Sequence, residues 1–137
     1  MIKTKNISQT VVLNASAHEV YDALMSSKKH SAFTGGKAVM SQKEGGKFTA
    51  YDGYIKGINL ELKPDKKIVQ LWRAKDWPKG HASQVTYVLS GTTKKTTLKF
   101  TQKGIPAEQY KDLKKGWPDF YWKPLKKMFP ATSKKQK

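Results

Sequence analysis

GIPAEQYKDLKKGWPDFYWKPLKKMF, residues 104–129, carries the longest apolar face in this 137-residue chain. Helical spacing joins Tyr110, Leu113, Trp117, Phe120, Tyr121, Leu125 and Met128 into one stripe, with Asp112, Lys115, Asp119, Lys123 and Lys126 roughly opposite. Pro106 suits the first turn of a helix, where its missing N–H has no intrahelical partner to lose. Gly116 and Pro118 interrupt the pattern. The spacing therefore predicts a short helix, a break near Gly116–Trp117, and a second helix with Pro118 in its first turn. Pro124 removes one internal hydrogen bond and predicts a kink in that second helix. A stripe this rich in aromatics needs a surface to cover, and the residues before it read as strands.

Residues 5–13 alternate, with Ile7, Val11 and Leu13 on one face. Ser16 and Glu19 form a capping box ahead of a helix that places Val20, Ala23 and Leu24 on one side. The polar run 26–29 ends that helix, and a second helical turn around His30–Phe33 stops at Thr34-Gly35-Gly36. A meander follows. Residues 37–41 read as a short strand and Glu44-Gly45-Gly46 as a hairpin. Residues 47–57 read as a strand with a turn or bulge at Asp52-Gly53, and 58–62 as another. Strands over 67–73, 83–89 and 96–102 are separated by the loop 76–81 and a turn at 90–93. Ile68, Gln70 and Trp72 share one face; so do Val85, Tyr87 and Leu89, and so do Leu98, Phe100 and Gln102.

The expected fold class is α+β: a curved antiparallel sheet of about six or seven strands around a long, kinked C-terminal helix, with two short helices after strand 1. One domain is expected over 1–130, followed by a basic, disordered tail over 131–137.

The chain has no cysteine, which excludes disulfides, thiolate chemistry and thiolate-bound zinc and fits a reducing cytoplasm. The N-terminal residues have no apolar core of a signal peptide, and no apolar run reaches membrane-spanning length. Net charge is +17, from 27 basic against 10 acidic residues. The lysines are spread along the chain, and Arg73 is the sole arginine, the residue type suited to bidentate phosphate and base contacts. This composition describes a soluble surface with weak, salt-sensitive, sequence-independent binding to polyanions, and it ranks a dedicated nucleic-acid site lower.

Catalytic signatures are missing. His18, His30 and His81 show no metal-ligand spacing, and Ser83 two residues beyond His81 is no triad. The carboxylates suggest no acid–base pair, and neither Gly35-Gly36 nor Gly45-Gly46 leads into the Lys-Ser/Thr of a phosphate loop. No catalytic residue, metal or cofactor is assigned, and the chain reads as a non-enzyme. Phe48, Trp72, Tyr87, Phe100, Trp117 and Tyr121 are placed to point between sheet and helix. Core packing is the favoured reading for each alone. Gln70 and Gln102 share faces with this set, and a buried amide needs a partner in protein, water or ligand. Phe48, Gln70, Trp72, Tyr87, Phe100, Trp117 and Tyr121 are the candidate cavity residues.

Several pieces resemble the C-terminal domain of the activator of the heat-shock protein 90 ATPase: AFT at 32–34, GGKF at 45–48, DG at 52–53, LKPDKKIVQLWR at 62–73, WPKGH at 77–81, VTY at 85–87 and GIP…GW…FYW over 104–122. WRxxxWPxGH and the GW helix are the most specific. The resemblance extends to the START-like, birch-pollen-allergen-like helix-grip superfamily, also called SRPBCC, and implies an apolar cavity between sheet and helix. It further implies a co-chaperone-like, protein-binding role with a heat-shock protein 90 as partner, and Lys75, Trp77, Pro78, Lys79 and His81 in an exposed contact loop, where Trp77 reads slightly more readily as an anchor packing on the sheet edge than as a contact hot spot. In the family this domain is the second of two, and the first makes the main dock. The expectation is weak binding by a monomer. The alternative expectation is a carrier or sensor of a small apolar ligand.

Overall fold

The computed structural model describes residues 3–130. Six strands form one antiparallel sheet: β1 (Thr4–Leu13), β2 (Lys47–Ala50), β3 (Ile55–Lys63), β4 (Lys67–Ala74), β5 (Ser83–Gly91) and β6 (Thr96–Pro106). Their spatial order is β1-β6-β5-β4-β3-β2, so the meander from β2 to β6 is closed by β1 pairing with the last strand. Helices α1 (Ala17–Met25) and α2 (Ser27–Thr34) carry the chain from one edge to the other. The C-terminal helix comprises α3 (Tyr110–Trp117), a π turn (Pro118–Trp122) and α4 (Lys123–Met128). The proposed tail over 131–137 lies outside the described residues.

Alternation does what the spacing predicts. Ile7, Val11 and Leu13 of β1, Ile68 and Trp72 of β4, Val85, Tyr87 and Leu89 of β5, and Leu98 and Phe100 of β6 are all buried. Trp117 lies on that face, its ring centroid 4.3 Å from Phe100 and 5.5 Å from Trp72. The capping box is present: Ser16 Oγ accepts from the Glu19 N–H, and Glu19 Oε1 accepts from the Ser16 N–H.

The structure departs from the expected boundaries in five places, each with a local cause. The polar run 26–29 begins α2 rather than trailing α1, because Ser26 Oγ caps the Lys29 N–H. Residues 37–41 form no strand; a single bridge, Val39 to Thr49, replaces it. Residues 47–57 divide at Tyr51–Gly53, where Tyr51, Asp52 and Gly53 take φ of 50°, 58° and 91° and turn β2 back into β3. Strand β3 then runs unbroken through the two segments read as separate. Pro106 is the last residue of β6 and the cap of a 3-10 turn (Ala107–Gln109) leading into α3, rather than a first-turn residue of the helix, and the Ala107 N–H donates to Lys3 C=O.

The fifth departure matters most. No break occurs near Gly116: Trp117 and Pro118 both have helical angles, −57°/−48° and −60°/−44°. The two prolines are absorbed instead by the wide π turn, in which the Lys123 N–H reaches Pro118 C=O. Pro124 has no N–H for the Phe120 carbonyl, and that carbonyl accepts from Tyr51 Oη at 3.3 Å. The extra residue in the turn rotates the stripe. Phe120, expected inside, is 58% exposed, and Trp122, outside the expected stripe, is 5% exposed. Trp122 Nε1 donates to Gln9 Oε1 at 2.6 Å, tying the helix to β1.

Candidate functional site

An aromatic pocket of about 420 Å³ opens between the end of β4, the β2–β3 turn and the C-terminal helix. Trp72, Trp77, Trp117 and Tyr121 are its buried walls. Ile55, Ala74, Leu113 and Gly116 complete the apolar lining. Tyr51, Tyr54 and Phe120 stand around it, together with Gln109, Asp76 and Asp112.

Local chemistry builds this shape. The loop 76–81 is folded around Arg73, whose Nη1 donates to Pro78 C=O at 2.8 Å and His81 C=O at 2.9 Å, and whose Nη2 donates to Trp77 C=O at 3.2 Å. The sole arginine therefore uses its planar fork on backbone carbonyls of its own loop. It turns the Trp77 ring inward, with its centroid 5.5 Å from that of Trp72. On the helix side, Trp117 Nε1 donates to Gln102 Oε1 at 2.8 Å, Gln102 Nε2 to Ser83 Oγ at 2.9 Å, and Ser83 Oγ to Trp72 C=O at 2.9 Å. This buried relay crosses from helix through β6 and β5 to β4 and leaves no amide group of Gln102 for a ligand.

The structure brings together three of the seven cavity candidates, Trp72, Trp117 and Tyr121. Phe48, Tyr87 and Phe100 are buried elsewhere in the core. Phe48 covers Gly57, its partner across the β2–β3 pair, where an added Cβ would lie 2.4 Å from the Phe48 ring. Gln70 is also away from the pocket: its Nε2 donates to Asn59 Oδ1 at 3.0 Å. Of the contact candidates, Lys75, Pro78 and Lys79 are exposed and His81 is half-buried, with a ring nitrogen 2.7 Å from Gly104 C=O. Trp77, expected either as an anchor packing its loop on the sheet edge or as a contact residue, is 4% exposed and belongs to the pocket wall.

Sequence reasoning missed Tyr51, Tyr54, Asp76, Asp112 and Asn59. Tyr51 and Tyr54 flank the Asp52-Gly53 turn, which was legible, but their placement around the pocket depends on left-handed angles at Tyr51 and Asp52. Asn59 had a usable signal: an amide between Ile58 and Leu60 within a strand, where Asn is depleted. It is fully buried, and its Nδ2 donates to Ser41 C=O at 2.8 Å and Lys43 C=O at 3.1 Å.

Burial pushes the Tyr51 hydroxyl up to about 12 and those of Tyr87 and Tyr121 well above their ordinary value. These groups remain neutral hydroxyls near neutral pH. Among the described residues, no group of three or more His, Cys, Asp or Glu could hold a metal ion. The geometry suits binding of an apolar or aromatic body.

His30 sits behind the pocket. Its Nδ1 lies 2.9 Å from Leu24 C=O, so that nitrogen carries the proton, and Nε2 accepts from Tyr121 Oη at 2.9 Å. Burial lowers the His30 pKa below its usual value, and the Leu24 contact opposes this only in part. The unfolded chain therefore binds a proton more readily than the folded one. The stabilising contribution of neutral His30 is complete above about pH 6.5 and is lost as pH falls through the depressed folded value. The expected result is a thermal midpoint that declines between pH 7 and 5, with a shallower decline in His30→Gln. Parallel profiles for the two proteins would contradict it.

A six-stranded antiparallel sheet holding one long C-terminal helix, with an apolar pocket between them, defines a START-like helix-grip domain. The family model described as Activator of Hsp90 ATPase homolog 1-like protein matches residues 14–130, and the chain belongs to this family. An activator of 90 kDa heat shock protein ATPase homolog from Dictyostelium discoideum is 36% identical over 132 residues, covering 96% of this chain and 34% of that protein. The human homolog 1 is 32% identical, covering 93% of this chain and 38% of the human protein. The chain thus spans about a third of the length of these relatives. The crystal structure of an HSP90 activator from Plasmodium falciparum superposes with a TM-score of 0.86 at 24% identity, covering 91% of this chain and 97% of that one. The Aha1 dimer from Colwellia psychrerythraea superposes at 0.75 with 16% identity, covering 88% of this chain and 93% of that one. No described helix is long and apolar enough to cross a membrane.

Proposed function

We propose that this chain is a non-enzymatic binding domain with a co-chaperone-like role, docking on a heat-shock protein 90 chaperone in the cytoplasm. The observation that carries this reading is the family match, which spans nearly the whole described domain. The +17 charge supports an acidic partner face, since complementary charge raises the association rate. Lys75 and Lys79 are the proposed steering charges, on the loop that Arg73 shapes. Buried Trp77 holds that loop from below.

The test is ATP turnover by a chaperone from the same organism, with the 137-residue chain in large excess and at physiological salt to suppress non-specific polyanion binding. Weak binding and slight stimulation are expected, because one domain lacks the effective-concentration gain of two linked ones. Lys75→Glu with Lys79→Glu should slow association several-fold with little change in dissociation. Absence of binding by any probe would remove the reading. The domain is proposed to act as a monomer, and a dimer mass by light scattering would contradict that.

The pocket favours a second reading, a carrier or sensor of a small apolar ligand. Its volume lies within the roughly 300–1,000 Å³ of small-molecule sites, and its walls are largely aromatic. Titration with apolar compounds should move the indole signals of Trp72 and Trp77 and leave Gln70 still.

A further inference from the structure

Charge is distributed around the pocket against the grain of the whole chain. All but one of the 27 basic residues are lysines spread over the sequence, yet among the described residues no lysine lines the pocket. Two of the chain's 10 acidic residues do, Asp76 and Asp112. Both are exposed at the mouth. Among the described residues, five ion pairs engage Asp22, Glu61, Asp65 and Asp119, and none engages Asp76 or Asp112. Asp76 is held in place by Tyr54, whose Oη donates to Asp76 Oδ1 at 2.8 Å. Tyr54 and Phe120, 43% and 58% exposed, present aromatic rings at the same opening. Below them the walls are the buried rings of Trp72, Trp77 and Trp117.

From this juxtaposition we propose that the pocket binds a small amphiphilic cation, an apolar body seated against the tryptophans with one ammonium group between Asp76, Asp112 and the rim aromatics. An ammonium near aromatic faces gains from the ring quadrupole, and more so when partly desolvated. Two unpaired carboxylates at the mouth supply the counter-charge that a fatty acid would find repulsive. The positive field of the rest of the protein repels cations in general, so a cation that binds here does so through the local site. This deepens the small-ligand reading of the pocket and rests on it.

The test uses three probes with one apolar body: 6-phenylhexylamine, 6-phenylhexanol and 6-phenylhexanoate, each titrated at low salt against tryptophan fluorescence and indole NMR signals. The amine should bind about tenfold more tightly than the alcohol, and the carboxylate most weakly at the Trp72 and Trp77 signals. The double variant Asp76→Asn with Asp112→Asn keeps an acceptor for Tyr54 and should bring the amine down to the alcohol's affinity. Gly116→Leu should block all three probes by filling the pocket. A Cβ at Gly116 would lie 3.6 Å from Phe120, an ordinary contact, so the fold should persist with an unchanged thermal midpoint. Failure of every probe would overturn both the pocket reading and this inference. Equal binding of the three, blocked by Gly116→Leu, would keep the pocket and overturn the cation preference. An amine preference that survives the double Asn variant would overturn the roles given to Asp76 and Asp112.

Discussion

Trp117→Ala should lower the unfolding free energy by about 4–8 kcal/mol, among the largest single losses available in this domain. Trp117 is 3% exposed and contacts rings from three strands and its own helix: Phe100 at 4.3 Å, Tyr121 at 4.5 Å, Trp72 at 5.5 Å and Tyr87 at 6.5 Å between centroids. Truncation to Ala leaves a cavity that these rings fill only in part, at about 3–5 kcal/mol. It also orphans Gln102 Oε1, fully buried and otherwise without a donor among the contacts described, which costs roughly 1–3 kcal/mol. Trp117→Phe separates the two effects, since it keeps a ring and loses only the indole N–H and some volume. The phenylalanine variant should sit between wild type and alanine in a urea titration. A Trp117→Ala midpoint close to wild type would show that the helix does not grip the sheet through this side chain.

The same residue shows how far the sequence alone could go. Its place in the interface was legible, because strand alternation and helical spacing are local patterns that identify a buried face. The β4, β5 and β6 faces and the capping box at Ser16 were legible for the same reason. The exit from β6 and the course of the helix were not. Pro106, Pro118 and Pro124 each admit two local solutions, a helix start or a strand end, a break or a wide turn. The choice is made by distant groups. Lys3 C=O takes the Ala107 N–H, and Tyr51 Oη satisfies the Phe120 carbonyl that Pro124 leaves without a partner. With the wide turn in place, Trp122 faces inward and Phe120 outward. The pocket was legible in its sheet and helix walls, Trp72, Trp117 and Tyr121. Its mouth was not, because Tyr51, Tyr54 and Asp76 arrive from turns whose angles no periodicity reports.

Asn59→Leu, which keeps the branching at Cγ but loses both amide groups, is the second large effect, expected at about 2–4 kcal/mol. The Asn59 amide is the hub that holds the segment before β2 against the sheet. Its Nδ2 donates to Ser41 C=O and Lys43 C=O, and its Oδ1 accepts from Gln70 Nε2. Lys43 C=O would keep the Gly46 N–H at 3.0 Å, so the damage falls on Ser41 C=O and on the Gln70 amide. Gln70 Nε2 would retain only Met25 Sδ at 4.0 Å, a weak acceptor for a buried N–H. If the loss arises from that stranded amide, removing it should recover stability. Replacing both members of a buried polar pair by apolar groups of similar shape is far less costly than replacing one. The double variant Asn59→Leu with Gln70→Met should therefore be more stable than Asn59→Leu alone, by about 1–2 kcal/mol in a double-mutant cycle. The Ser41 carbonyl is not rescued by the second change. Faster amide exchange at Gly45, whose N–H donates to Asn59 C=O at 2.7 Å, should persist in the double variant. Additive losses in the cycle would show that Asn59 and Gln70 act independently. Unaltered exchange at Gly45 would show that the segment is held by its backbone contacts to β3 rather than by the Asn59 side chain.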